Sequence, residues 1–185
     1  PSQRLPAEMI RDNALAASGL LADHVGGESV FPPQPEGLWK EKSTFSYMLL
    51  EYQPDSGAAR YRRSLHTFIR RTSPPPFLNL FDAPNRDRCV VQREVTNTPL
   101  QALVLLNDPQ FLEAARVLAQ RSQREAGPGL EAQLKYAFRR VTSRWPSEKE
   151  LQVFRRLFEQ EQARFRDNLA AARDYLAAGP YPLPD

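Results

Sequence analysis

Arg70-Arg71-Thr72-Ser73-Pro74-Pro75-Pro76, then Phe81-Asp82-Ala83-Pro84-Asn85-Arg86, then Asn107-Asp108-Pro109-Gln110-Phe111-Leu112, is the run from which the fold is read. Three prolines in series predict an extended polyproline course that no regular element traverses, because each ring fixes φ and removes a donor. Asp82 and Asn85 flank Pro84, and short Asx side chains bond the backbone just ahead of them, so a turn is expected there. Thr98-Pro99 and Asp108-Pro109 each set an N-cap residue before a proline at the first helical position, predicting two helix starts ten residues apart.

Outward from this hub the pattern is largely helical. Ile10, Ala14, Ala17 and Leu21 recur at helical spacing over residues 6–21. Prolines and glycines interrupt residues 26–39, a loop that Phe31, Leu38 and Trp39 are expected to pin to the core. Residues 44–52 are aromatic-rich and partly alternating, and with the turn at Gln53–Gly57 they suggest a two-stranded hairpin. Leu65, Phe68 and Ile69 lie on Tyr61–Arg71, which reads as a basic helix ended by the prolines. Cys89–Arg93 is short and β-prone, an extended connector. Leu100, Leu103 and Val104 line the helix after Pro99, and Phe111, Leu112, Ala115, Leu118 and Ala119 the one after Asp108. Gly127-Pro128-Gly129 precedes a helix with Leu130, Leu134, Phe138 and Val141 on one face. Trp145-Pro146 ends it, Ser147-x-x-Glu150 is a capping-box pattern, and a last helix spans 168–178.

The reading is therefore a mainly α, multi-helix orthogonal domain with a small β-hairpin and long proline-rich loops. It is a single helical domain over residues 1–185, with a loop-rich half at 6–126 containing the basic hub and C-terminal helices at 130–179. Its 185 residues and 41% hydrophobic content suffice for a buried core, and 17 prolines against 8 glycines punctuate rather than disorder it. The chain starts at proline, which reads as a piece of a longer protein. No run of about eighteen apolar residues suggests a membrane span.

Charge is uneven. Residues 60–93 hold eight arginines against Asp82 and Asp87, whereas the whole chain has a net charge of +3. Such clustering marks either an anionic partner or arginines paired within the fold. Cys89 is the only cysteine and His24 and His66 the only histidines, in no metal-ligand spacing, so no cofactor site is expected in this piece. Nucleophile-elbow, Walker and dinucleotide loops are missing. Cys89, beside Arg86, Arg88 and Arg93, reads as a small core residue rather than a reactive thiol. The phenylalanine stripes of the C-terminal half read as core, and Glu148, Glu150, Glu159 and Glu161 as a solvated face.

The candidate site is Asp82, Asn85, Arg86, Arg93, Asn97, Thr98, Gln101, Asn107 and Asp108. These residues either converge on an anionic or hydroxylated ligand or cap two helices and satisfy a turn, and the second reading is preferred.

Tyr61-Arg62-Arg63-Ser64-Leu65, Arg71-Thr72 with Pro74–Pro76, Phe81–Arg86, Cys89, Arg93-Glu94, Thr96–Leu103 and Leu106–Pro109 resemble the C-terminal domain of the large planctomycete cytochrome-associated proteins, a family of unknown function. His66 stands where that family usually has tyrosine. The resemblance implies an exported or periplasmic parent with haem c bound elsewhere, and a link to carbohydrate or redox chemistry. The function expected is a non-catalytic structural or interaction domain. The alternatives are part of a carbohydrate-active or redox enzyme with Asp82, Arg86, Arg93 and Asn107 in its site, or an anion- or nucleic-acid-binding module. Expected partners are other domains of the parent and a polyanionic or glycan ligand, with nucleic acid disfavoured.

Overall fold

A computed structural model describes residues 4–41 and 51–183. Its elements are α1 (Ala7–Ser18), α2 (Leu38–Glu41), α3 (Pro76–Leu80), α4 (Pro99–Asn107), α5 (Pro109–Ala126), α6 (Leu130–Thr142), α7 (Glu148–Arg166) and α8 (Leu169–Leu176), with short 3-10 turns at Gly57–Tyr61 and Ser64–His66. The protein is mainly helical. Two compact units share the chain, one made of Pro1–Asp12 and Leu21–Val104, the other of Asn13–Leu20 and Leu105–Asp185.

The first unit is built around Ala7 of α1 and Phe77, Leu78 and Phe81 of and after α3, with Ile10, Ile69, Ala83 and Val104 packed against them. A second aromatic cluster holds the loop-rich part. Phe31 stacks on Phe68 at 5.0 Å, Trp39 meets Tyr52 edge-on at 5.0 Å, and Arg70 lies over the Trp39 ring. Each such ring pair adds about 0.5–1.5 kcal/mol beyond its area. Phe31 and Trp39 thus hold this segment to Tyr52 and Phe68 rather than to the core around Phe77, and Trp39 is buried. Burial pushes the Tyr52 hydroxyl well above its ordinary value, Asp55 adding to the shift, and the hydroxyl donates to the Pro32 carbonyl.

Three sequence expectations meet the structure here. The strand at 44–52 lies almost wholly outside the described residues, and the segment meant to pair with it is the 3-10 turn ending at Tyr61. Among the described residues β pairing is limited to single bridges, Val30 with Thr67 and Arg70 with Ser73. The basic helix over 61–71 does not form. A 3-10 turn at Ser64–His66 takes its place, Thr67 is extended, and the Phe68 N–H is bonded to the Val30 carbonyl at 2.8 Å. Leu65, expected on an apolar stripe, is 65% exposed. Pro74 and Pro75 carry no regular element, as expected of the run, and Pro76 is the first residue of α3, a position where the missing N–H is harmless.

The second unit is made of helices that end on recognisable caps. Asp108 accepts from the Gln110 N–H at 2.8 Å, Asn168 from the Ala171 N–H at 3.0 Å, and Ser147 forms a full capping box with Glu150. Arg144 and the Ser147 N–H and hydroxyl hold the Glu150 carboxyl down to about 2. Ser143, left-handed at φ 61°, closes α6 by donating to the Arg139 carbonyl. Gly19 follows α1 at φ 87°, and a Cβ there would stand 2.8 Å from Arg121 Nη1.

Several apolar stripes are less buried than their spacing predicts: in α4 Leu100 and Leu103 are exposed and Gln101 is buried instead, and in α6 no residue is buried. In α5 the buried residues are Gln110, Phe111, Glu113, Ala114, Arg116, Val117 and Ser122, whereas Ala115 and Ala119 are exposed. In α7 only Leu151 is buried, and Phe154, Leu157 and Phe158 stay substantially exposed although Phe154 meets Phe138 edge-on.

Candidate functional site

The turn after α3 begins with Phe81, whose N–H still bonds to the Phe77 carbonyl, and then reverses at Asp82, a non-glycine residue at φ 61°. Aspartate tolerates that conformation better than most residues because its side chain can bond locally. Here the carboxylate reaches further. It accepts from Arg4 at 2.5 Å, from the Thr96 N–H at 2.9 Å and from the Thr96 hydroxyl at 2.9 and 3.0 Å. Burial raises the Asp82 carboxyl, but these donors and the Arg4 charge outweigh it and hold the group below its ordinary value. Arg4 also donates to the Phe81 and Thr96 carbonyls.

Gln101, buried on the first turn of α4, extends the network. Its amide donates to the Leu80 carbonyl at 2.8 Å and to the Thr96 hydroxyl at 3.0 Å, while its side-chain oxygen accepts from the Thr98 N–H. Thr98 therefore precedes α4 as predicted, with its N–H capped by Gln101. Asp82, Thr96 and Gln101 form one continuous set that ties the end of α3 to the start of α4.

Arg93 and Glu8 form a two-pronged ion pair, with bonds of 2.7 and 3.1 Å. Burial pushes the Glu8 carboxyl up, but Arg93's hydrogen bond and charge, with help from Arg86, bring it below its ordinary value. Asn85 is exposed and accepts from the Asp87 N–H at 3.3 Å, the local Asx bond its position suggested. Arg86 is exposed at φ 63°, and Asn97 is exposed in the same connector. Asn107 and Asp108 fall in the second unit, where Asp108 caps α5.

The hub thus divides. Asp82, Thr98 and Gln101 are brought together, Arg93 stands with Glu8, and Asn85, Arg86 and Asn97 remain solvated. A depression of about 560 Å³ is bordered by Asn79, Asp82, Asn85, Arg88, Cys89 and Arg93. Cys89 is exposed there, contrary to the core position expected of it, because residues 85–97 form an exposed connector that buries nothing. Sequence reading missed Arg4, Glu8 and Thr96, the partners that complete these contacts. Glu8 in the first turn of α1 had a local signal as an N-terminal acid, whereas Arg4 had none.

The arginine cluster is engaged chiefly with the chain itself. Buried Arg62 donates to the carbonyls of Glu28 and Gly26, and Arg63 meets Asp12 at 3.4 Å. Arg11, 2% exposed, reaches into the same segment and donates to the Arg62 and Arg60 carbonyls at 2.8 and 2.6 Å. Asp12 accepts from the Ser64 N–H at 2.7 Å. These bonds hold the 3-10 turns open where a helix would have used the same carbonyls internally.

Among the described residues no His, Cys, Asp and Glu side chains are grouped to hold a metal ion, and no helix is long and apolar enough to cross a membrane.

Fold and site together define a mainly helical domain whose polar hub hydrogen-bonds its own backbone. The family model described as PSD1, Protein of unknown function (DUF1553), matches residues 1–158, and the chain belongs to that family. Comparison with curated proteins and with solved structures returned no match.

Proposed function

We propose that this domain is a non-catalytic structural or interaction module of a larger protein. The observation that carries this reading is the use of the hub's polar atoms. Asp82 accepts from Arg4 and Thr96, Gln101 bonds Leu80 and Thr96, and Asp108 caps α5. A general-acid carboxylate needs its pKa raised toward working pH. Asp82 is instead held below its ordinary value by Arg4 and Thr96, which argues against that role.

The parent, in this reading, is an exported or periplasmic, planctomycete-type protein that carries haem c in another part, and its other domains are the partners. The motif resemblance around residues 61–109 supports this placement. The test is a screen of glycosides, esters and sulfated sugars with the full-length parent. No turnover is expected, and turnover abolished by Arg86→Ala in a folded protein would refute the proposal.

A second reading, binding of a polyanion or glycan, is favoured by the open depression at exposed Arg88. Titration with a sulfated oligosaccharide checks it, and an Arg88→Ala change that leaves the affinity unaltered would remove it. Nucleic-acid binding loses its support, because Arg62 and Arg63 are engaged within the fold, and Arg93 is paired with Glu8.

A further inference from the structure

In the second unit, Glu113 and Arg116 stand three residues apart on α5 and are nearly fully buried, at 3% and 7% exposure. Both reach the segment after α8, a strap over residues 177–183. Arg116 donates to the carbonyls of Tyr181 at 2.7 Å, Pro182 at 3.3 Å and Ala178 at 3.5 Å, and Glu113 accepts from the Tyr181 N–H at 2.7 Å. Every one of these bonds is to the strap's backbone. Pro180 and Pro182 have no N–H, so Tyr181 offers the one donor between them, and the buried carboxylate takes it.

Side-chain selection occurs at one point. Gly179 has φ 77°, and a Cβ there would stand 2.6 Å from Glu113 Oε1. The strap's large side chains add little holding force, since Tyr181 and Leu183 are 40% and 54% exposed. An open depression of about 760 Å³ borders Tyr181, Pro182 and Leu183. The family match covers Glu113 and Arg116 and stops at residue 158, before the strap.

We propose that Glu113 and Arg116 form a peptide clamp for a bent Gly-Pro-x-Pro segment, and that Ala178–Pro182 fills it in cis as an exchangeable occupant. Paired backbone donors and acceptors give such a site its affinity, and prolines lower the entropy lost on binding. A tethered strap acts at an effective concentration near millimolar, so a free peptide binds only when the strap is released.

The test uses the full chain and a fluorescent peptide of residues 177–183. Gly179→Ala, which sets a methyl group against Glu113, is expected to release the strap and bind the peptide at least about tenfold more tightly than the unmodified chain. Adding Arg116→Met to that variant is expected to weaken binding at least about tenfold. Equal binding by both chains, no binding by a Gly179→Ala chain of native helical content, or indifference to Arg116→Met would each overturn the proposal. Collapse of the helical signal in Gly179→Ala would overturn it too, by making the strap part of the core. In the unmodified chain, the Tyr181 amide is expected to exchange at least about tenfold faster than the Arg116 amide, and equal rates would count against exchangeability.

Discussion

The two units solve one problem, the pairing of backbone polar groups, in different ways. In the second unit most of the chain is helical, so carbonyls and N–H groups satisfy one another, and side chains are needed only at helix ends and at the strap. The first unit has long irregular stretches, and there buried Arg11, Arg62 and Gln101 cross long sequence distances to reach carbonyls. Buried polar residues of the loop-rich unit therefore serve its backbone, while Asn85, Arg86 and Asn97 of the same unit stay solvated. Each unit also has its own tryptophan, buried Trp39 in the first and exposed Trp145 in the second, so fluorescence can follow the units separately.

The contrast is broken most severely at Arg11. Arg11→Met leaves the Arg60 and Arg62 carbonyls without their donor and should cost the first unit about 3 kcal/mol, read by urea melts of Trp39 fluorescence in a Trp145→Phe background. A loss below about 0.5 kcal/mol would mean that water replaces the guanidinium. Asp82→Ala removes the acceptor for Arg4 and Thr96 and puts a residue without local bonding at φ 61°, so about 2 kcal/mol is expected in the same melt.

Within the second unit the effects should be smaller and local. Ser147→Ala should lower stability by about 1 kcal/mol, measured by thermal unfolding followed by circular dichroism. The least effect is expected from pH. The Glu150 carboxyl lies at about 2 in the folded chain against an ordinary 4.5, so its contribution is present above pH 4.5 and fades as pH falls toward 2. Glu150→Gln should flatten that acid limb, and an unchanged limb would show that Arg144 does not hold the carboxyl in solution.

What could be read from the sequence follows the same division. Asp108-Pro109 and Ser147-x-x-Glu150 marked helix starts because capping acts over three residues. The 61–71 segment departs from its helical pattern because the Arg62 carbonyl is claimed by Arg11, some fifty positions away, and periodicity carries no trace of such a partner. The α5 register was missed for a related reason: Glu113 and Arg116 look like surface charges until Tyr181 and its neighbours are seen to pair with them. Of the site, the Asx bond at Asn85 and the Asp108 cap were legible, both being local. Arg4 and Glu8, which complete the contacts of Asp82 and Arg93, were not.

The most direct test of a structural hub is a double-mutant cycle on Arg4 and Asp82, both partly buried and 2.5 Å apart. Arg4→Met, Asp82→Ala and the double variant would be melted in urea with Trp39 as reporter. A coupling of about 1 kcal/mol or more is predicted, whereas losses that add within about 0.3 kcal/mol would contradict the claim that this contact holds the fold.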